Sequence, residues 1–278
     1  MHTIESALVQ LGIGKFHFSL FAILGTIHSC DAVEMLILAF LGPILTCNWQ
    51  ITMIEASFLT TGVFVGIMIG SSLLGNFSDK YGRKTTLIIT NAGLLNFGLL
   101  SANAPTIYWM IAMRTFIGIC IGGNSSSLYS LLSELTPINY RGTFLVSLQL
   151  FWSLGSILIT TICLLVVKPL GWKVFLMLAT VPIFFVLVSL IWIPESPRYL
   201  LLQNQKEKSL EIINKVAKMN KVEPIHELME EQTTMSSKDL IHSNYLLTTI
   251  FTCFLWFVAG ASASMPAEHK NSFNIIFE

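Results

Sequence analysis

The sequence predicts an all-α membrane protein, and three observations carry that expectation. Of its 278 residues, 53% are hydrophobic and only 12% are charged, against roughly 25% charged in an ordinary soluble domain. The apolar residues fall in successive runs, each close to the ~20 residues that cross ~30 Å of hydrocarbon at 1.5 Å per residue. The charged residues gather between the runs. Helices apolar on every side are either deeply buried or in lipid, and this chain has too many of them for one soluble core.

The elements follow in order. A cytoplasmic lead, 1–17, contains a short amphipathic stretch, Ile4 to Gly14. The first span is expected over about Phe18 to Leu41, and the second over about Ile54 to Leu74, after a loop holding Pro43, Cys47 and Trp49. The stretch GNFSDKYGRKTTL, Gly75 to Leu87, then sets Asp79, Lys80, Arg83 and Lys84 between two apolar runs, as a tight loop joining two spans would. The third span covers about Thr86 to Ala104 and the fourth about Ile107 to Leu132, with a turn at Pro105 between them. The polar link SELTPINYRG, Ser133 to Gly142, leads into the fifth, about Phe144 to Val167. A short loop with Lys168, Pro169, Gly171 and Trp172 leads to the sixth, about Val174 to Ile193, so that 18–193 form a six-helix bundle.

After Pro194 the composition turns polar and helix-forming. Within this central cytoplasmic loop, 194–244, Leu210, Ile213 and Ala217 stand at helical spacing. That face suits docking on the bundle or lying along the membrane. A seventh apolar run, 245–263, follows, and the tail, 264–278, forms no eighth.

Orientation comes from Lys and Arg. With the N-terminus in the cytoplasm, the inward segments hold twelve of the sixteen, and the opposite side only Lys168 and Lys173. This positive-inside bias predicts a multi-pass protein with a cytoplasmic N-terminus. The first residues lack a basic region followed by a small-residue cleavage site, so no cleaved signal peptide is expected and the first span addresses the chain to the membrane. The formal net charge is zero, which gives no basis for a nucleic-acid partner. Cys30, Cys120, Cys163 and Cys253 fall in predicted spans and only Cys47 in a loop, with no C-x-x-C. No disulfide, metal or cofactor is therefore expected. The absence of a Walker P-loop, an H-E-x-x-H and a nucleophile elbow argues against an enzyme, and no catalytic residue is assigned.

Three ionisable residues lie inside spans: Asp31, Glu34 and Arg114. A charge near the bilayer centre costs at least ~2.5–3.5 kcal/mol, so such groups face a cavity or one another. Asp31 and Glu34, three apart, share a helix face. Counted from the span ends, Asp31 sits about 20 Å in from the cytoplasm and Arg114 about 10 Å in from outside, which is one level in a ~30 Å core. Asp31 or Glu34 is expected to face Arg114 across a central cavity, with His28 one turn below able to join them. The functional reading is a proton or cation site, and the competing one is a permanent structural ion pair. In the fourth span Gly118, Gly122 and Gly123 stand at small-xxx-small spacing, which lets a neighbouring helix approach. Asn124, Ser125 to Ser127, and Asn91 and Asn96 of the third span add polar groups suited to a water-filled path.

Three cytoplasmic stretches also carry a resemblance. GNFSDKYGRK resembles the loop between helices 2 and 3 of major facilitator superfamily transporters, G-x-L-x-D-[RK]-x-G-[RK]-[RK]. SELTPINYRG resembles the E-x-x-P-x-x-x-R-G segment after helix 4 of the sugar-porter and organic-ion branches, and PESPRYL, Pro194 to Leu200, the segment after their helix 6. IESALVQLGIGKFHFSL, CDAVEMLIL, TCNWQ and VFVGIMIGSSLLGNFSDKYGRK are similar to the synaptic vesicle 2-related branch. The resemblance covers nearly all of residues 4–258. It implies the N-terminal six-helix half of a major facilitator superfamily bundle, alternating access, and transport of a small organic solute or ion across a vesicle or plasma membrane. It also implies a cytoplasmic gate. On physical grounds Gly75 lets helix 2 approach a neighbour, Gly82 permits a tight turn, and Asp79 makes charge-assisted hydrogen bonds. Arg83, Arg141 and Arg198 with Asp79, Glu134 and Glu195 form the expected ion-pair layer, with Lys84 and Gly142 completing the motifs.

The superfamily needs twelve spans, as two halves with substrate between them. This sequence supplies the first half, the central loop and a partial seventh span, and its last residues diverge. A lone half is expected to expose Asp31, Glu34 and the asparagines. Two functions compete: a carrier in truncated form, proton- or cation-coupled, that works with a second half; and a non-transporting membrane protein that binds or regulates a full-length relative. Membrane lipid is a partner in both.

Overall fold

In a computed structural model the protein is described over residues 3–225, together with Phe251. Apart from Phe251, the expected seventh span, the tail and the rest of the central loop lie outside the described residues. The chain divides into two compact units, Met1–Glu230 and Glu231–Glu278. Among the described residues the first carries eight helices: α1 (Ile4–Leu11), α2 (Lys15–Trp49), α3 (Met53–Tyr81), α4 (Arg83–Ala102), α5 (Ile107–Leu135), α6 (Ile138–Ser189), α7 (Pro197–Leu202) and α8 (Lys206–Asn220). Of these, α2, α3, α4 and α6 are long and apolar enough to cross a membrane. In α5 the polar residues Arg114, Asn124 and Ser127 dilute that character, and all three are buried against neighbouring helices.

The helices run further than the apolar runs suggest. Pro43 lies inside α2, which continues to Trp49, so Cys47 sits on its last turn and not in a loop. α6 is 52 residues long and contains two arms, 138–170 and 172–189. They meet at Gly171, whose φ of 82° is one that a side chain would disfavour. The expected fifth and sixth spans therefore join through one reversed residue.

The charged stretch after the second span is likewise not a loop. α3 continues through Asp79 to Tyr81, and α4 begins at Arg83, leaving Gly82 alone to reverse the chain at φ 105°. The amide end of α4 is occupied by a carboxylate, because Glu195 Oε1 accepts from Arg83 N at 2.9 Å and Lys84 N at 3.1 Å. An anion at that position answers both the unpaired amides and the helix dipole.

α3 lies along α5 with the two backbones in close approach. A methyl group on Gly66 or Gly70 would run into the backbone of Thr115 or Ile119, and one on Gly118 or Gly122 into that of Val63 or Ile67. Only the α5 side of this seam is expected from the small-residue spacing noted above, although Gly62, Gly66 and Gly70 on α3 carry the matching four-residue spacing. Gly75, expected to allow such an approach, does not, since a methyl there would meet only Ser126 Oγ at 3.8 Å.

The core has two apolar clusters. One runs from α1 and the start of α2 through Leu24, Ile27, Leu94, Leu128 and Leu148. The other, around Ile37, Leu41, Ala102, Met110, Phe175 and Leu176, fills the opposite end. Phe64, Met68, Leu73, Leu150, Leu154 and Leu165 on α3 and α6 are exposed, as a surface meeting hydrocarbon requires. α8 packs its buried Ile213, Val216 and Ala217 toward the bundle rather than displaying them, and α1 lies beside it.

Gly70→Ala forces a methyl into the backbone of α5 and is expected to destabilise the protein by about 1–3 kcal/mol. Gly75→Ala has room and gains helix propensity, so its melting temperature in detergent should hold or rise. Equal losses in the two variants would show that the seam is not close-packed.

Candidate functional site

Between the two apolar clusters lies a polar layer shared by α2, α4 and α5. α2 and α5 are antiparallel, so rising numbers on one meet falling numbers on the other. Three levels result: Glu34 with Arg114, Asp31 with Asn124, and His28 with Tyr129.

At the first level Arg114 Nη1 donates to Glu34 Oε2 at 2.9 Å, with both side chains 1% exposed. Arg114 Nη2 reaches Ser101 Oγ on α4 at 3.4 Å. Of the two carboxylates the sequence offered to Arg114, the structure selects Glu34. At the second level Asn124 Nδ2 donates to Asp31 Oδ1 at 2.8 Å. Asn124 Oδ1 in turn accepts from Asn91 Nδ2 at 2.9 Å and lies 3.2 Å from Thr90 Oγ1. Asp31 is completely buried, and its Oδ2 has no hydrogen-bond partner among the described residues. Asn91 Oδ1 and Ser127 Oγ are buried and unpartnered as well. A network half-satisfied in this way leaves oxygen lone pairs on which a proton can sit.

His28 does not join the carboxylates. Its Nε2 lies 3.4 Å from Tyr129 Oη, and its ring lies 5.1 Å from that of Trp152 on α6. Tyr129 Oη also lies 3.5 Å from Gln149 Nε2. Asn96 is exposed and, among the described residues, donates to Ala92 O alone, so it takes no part in the layer.

The burial of the layer corrects another expectation. Asp31, Glu34, Arg114, Asn91 and Asn124 are each at most 1% exposed. Their partners stand on α2, α4 and α5, so the charges are enclosed within this half and do not line an open face of it. The reason is energetic: a half that displayed them to lipid would leave each unsolvated.

At the end of the bundle that holds the α3–α4 turn a second network forms around Arg83. Its Nη2 lies 3.1 Å from both Asp79 Oδ1 and Glu134 Oε1, and its Nη1 donates to Ser78 O at 3.3 Å. Ser196 Oγ donates to Glu134 Oε2, and Ser130 Oγ to Glu134 Oε1 at 3.1 Å. Tyr199 Oη donates to Lys80 O at 3.2 Å, with its ring 5.7 Å from the Arg83 guanidinium. Lys84 Nζ donates to Ile191 O at 3.2 Å. Thus Asp79, Gly82, Arg83, Lys84, Glu134 and Glu195 come together as the motifs suggest. The expected layer of three arginines divides, however. Arg141 and Arg198 both reach Glu5 on α1, at 3.8 and 3.6 Å. Glu5 carried no signal in the sequence, because its partners lie far along the chain. Gly142 stands in the first turn of α6 with no atom near enough to constrain it.

Residues 31–265 match the family described as Sugar (and other) transporter. The chain is 35% identical over 257 residues to the synaptic vesicle 2-related protein of Bos taurus, covering 91% of this chain and 47% of that protein. It is 38% identical over 221 residues to organic cation/carnitine transporter 7 of Arabidopsis thaliana, covering 80% and 44%. The xylose transporter XylE from E. coli, in a partially occluded inward open conformation, superposes with a TM-score of 0.68 at 20% identity, over 74% of this chain and 56% of that one. A structure of the proton:xylose symporter XylE bound to 6-bromo-6-deoxy-D-glucose gives 0.63 at 21%, over 72% and 49%. The chain spans about half the length of the curated relatives it matches.

Arg114→Gln leaves Glu34 buried without its cation and should cost about 3–5 kcal/mol of stability, the usual penalty for breaking a buried pair. Adding Glu34→Gln should recover most of that loss, because the uncompensated charge is gone. Unfolding of the single and double variants in detergent checks this, and additive losses would show that the two side chains are not coupled.

Proposed function

This chain belongs to the sugar (and other) transporter family of the major facilitator superfamily, and we propose that it forms the N-terminal half of a carrier that moves a small organic solute or ion by alternating access. Its family is one of transporters, not enzymes, and its environment is a membrane that it crosses several times. On this reading its N-terminus is cytoplasmic, as the Lys and Arg distribution favours, and it resides in a vesicle or plasma membrane, in keeping with the vesicle named for its animal relatives.

The observation that carries the reading is the division of labour between the two intramembrane acids. Each acid leaves one oxygen unpartnered among the described residues, but Glu34 is neutralised by Arg114, whereas Asp31 meets only an amide. Asp31 can therefore gain or lose a proton, or a small cation, without breaking an ion pair. Glu34 cannot, since any change there strands a buried guanidinium. We assign Asp31 as the coupling site, Asn124 and Asn91 as the groups that hold it, and the Glu34–Arg114 pair as the fixed charge beside it. His28 belongs to the neighbouring Tyr129–Trp152 cluster and plays no part in coupling. The Arg83 network acts as the cytoplasmic gate: exposed pairs contribute only ~0–1 kcal/mol each, but Arg83 is buried, the Glu134 side chain is only 9% exposed and they share partners, so the network can bias two states.

A second reading has one observation in its favour. Asp31, Glu34, Arg114, Asn91 and Asn124 are buried against one another within this half, so none of them faces lipid without a second half. Such a half suits a non-transporting protein that binds a full-length relative.

Reconstitution in proteoliposomes separates the readings. With labelled xylose and labelled carnitine as probes, uptake driven by an imposed pH gradient is expected, and Asp31→Asn should abolish its response to the gradient. A gradient response unchanged in Asp31→Asn would remove Asp31 from coupling. No uptake, together with a stable complex with a twelve-span relative, would establish the second reading.

A further inference from the structure

α1 is set apart from the helices that follow it. It is eight residues long and is bounded by Gly12, at φ 58°, and Gly14. Ile4, Ala7, Leu8 and Leu11 form its buried face, and Glu5 stands at its first turn. One oxygen of Glu5 serves two arginines from different elements, Arg141 in the first turn of α6 and Arg198 in α7.

A second tie lies at the other end of α1. Asn220, the last residue of α8, donates from Nδ2 to Leu11 O at 3.3 Å and to Gly12 O at 3.2 Å. Its Oδ1 accepts from Phe16 N at 3.3 Å. One amide thus holds the turn between α1 and α2 to the end of α8, some two hundred residues away in sequence. α1 consequently touches the starts of α6 and α7 through one side chain and the end of α8 through another.

The two ties differ in kind. Asn220 makes short-range hydrogen bonds to backbone. Glu5 makes long ion pairs at a part-exposed position, with side chains 26–38% exposed, where water and salt compete. Arg141 is also under-satisfied: its Nε is buried with no hydrogen-bond partner among the described residues, although a guanidinium carries five donors. Glu134, in the last turn of α5, is separated from Ile138 at the start of α6 by three residues, Leu135, Thr136 and Pro137. It is the carboxylate on which Arg83 and Ser196 converge.

We propose that α1 is a releasable strap with Glu5 as its latch, and that while fastened it keeps Arg141 and Arg198 from competing with Arg83 for Glu134. Fastened, the strap leaves the Arg83–Glu134 pair intact and binds α7 and α8 to the start of α2. Released, it returns two cations to the cytoplasmic network and loosens that pair. Gly12 and Gly14 provide the pivots and Asn220 the retained tether.

Hydrogen exchange of the full chain in detergent, followed by mass spectrometry on the peptide covering residues 3–14, tests this. In the wild type, α1 should be protected at low ionic strength and lose protection at about 1 M salt, where the screening length falls to ~3 Å. Glu5→Gln should raise exchange by about fivefold or more, the factor that two exposed pairs can supply, and remove the salt response. A charge swap, Glu5→Arg with Arg141→Glu and Arg198→Glu, should restore both protection and salt response, which a purely structural helix would not do. Exchange indifferent to salt and to Glu5→Gln would overturn the latch. Loss of protection that spreads through α2 would overturn the strap as a separable element.

Discussion

Two carboxylates and one guanidinium inside an apolar bundle impose the condition that the rest of the described helices meet. None of the three can face hydrocarbon unpaired, so the helices that carry them must assemble around a common level. α2 brings Asp31 and Glu34, α5 brings Arg114 and Asn124, and α4 supplies Ser101 and Asn91. The two apolar clusters lie above and below this level. α5 tolerates its polar residues because α2, α3, α4 and α6 surround it. Its backbone also approaches α3 closely enough that glycines are needed on both sides.

The end of the bundle around Arg83 follows the same logic with water available. Gly82 reverses the chain in a single residue, and the Glu195 carboxylate reaches across from the other end of the half to cap the helix that follows. The motif residues thereby act mainly through helix ends. Asp79 and Arg83 bracket the reversal, Glu134 closes α5, and Ser196 opens α7 while holding Glu134. Glu195 and Gly82 are close enough that a methyl on the glycine would meet the carboxylate. The turn and the cap are thus one device.

How much of this was legible in the sequence depended on distance along the chain. Apolar runs of spanning length gave the helices, and depth counting from their ends put Arg114 level with the acidic pair, because a helix converts sequence to length at a fixed rise. The same arithmetic could not choose between Asp31 and Glu34, which differ by less than one turn. Boundaries were harder. The charges in GNFSDKYGRK read as a loop, although helix continues to Tyr81, since a charged final turn in water costs nothing that hydropathy records. Glu5 and Asn220 were invisible for another reason: their partners are set by how α1, α6, α7 and α8 converge, and no local spacing encodes that. The unsatisfied oxygen of Asp31 likewise emerges only once its neighbours are in place.

The Glu34–Arg114 pair has a consequence for how the protein is made. Its two residues are eighty positions apart, and at ~5–20 residues per second a ribosome needs roughly 4–16 s to travel between them. For that interval α2 exists with two acids and no counter-charge at their depth, because Lys80, Arg83 and Lys84 of α3 and α4 lie around the turn at Gly82. α2 is therefore a poor candidate for early release into lipid. It is expected to wait beside the insertion machinery, or to hold its acids protonated, until α5 arrives. The ion pair that later fixes the charge level thus also sets the order in which this half can leave the translocation channel.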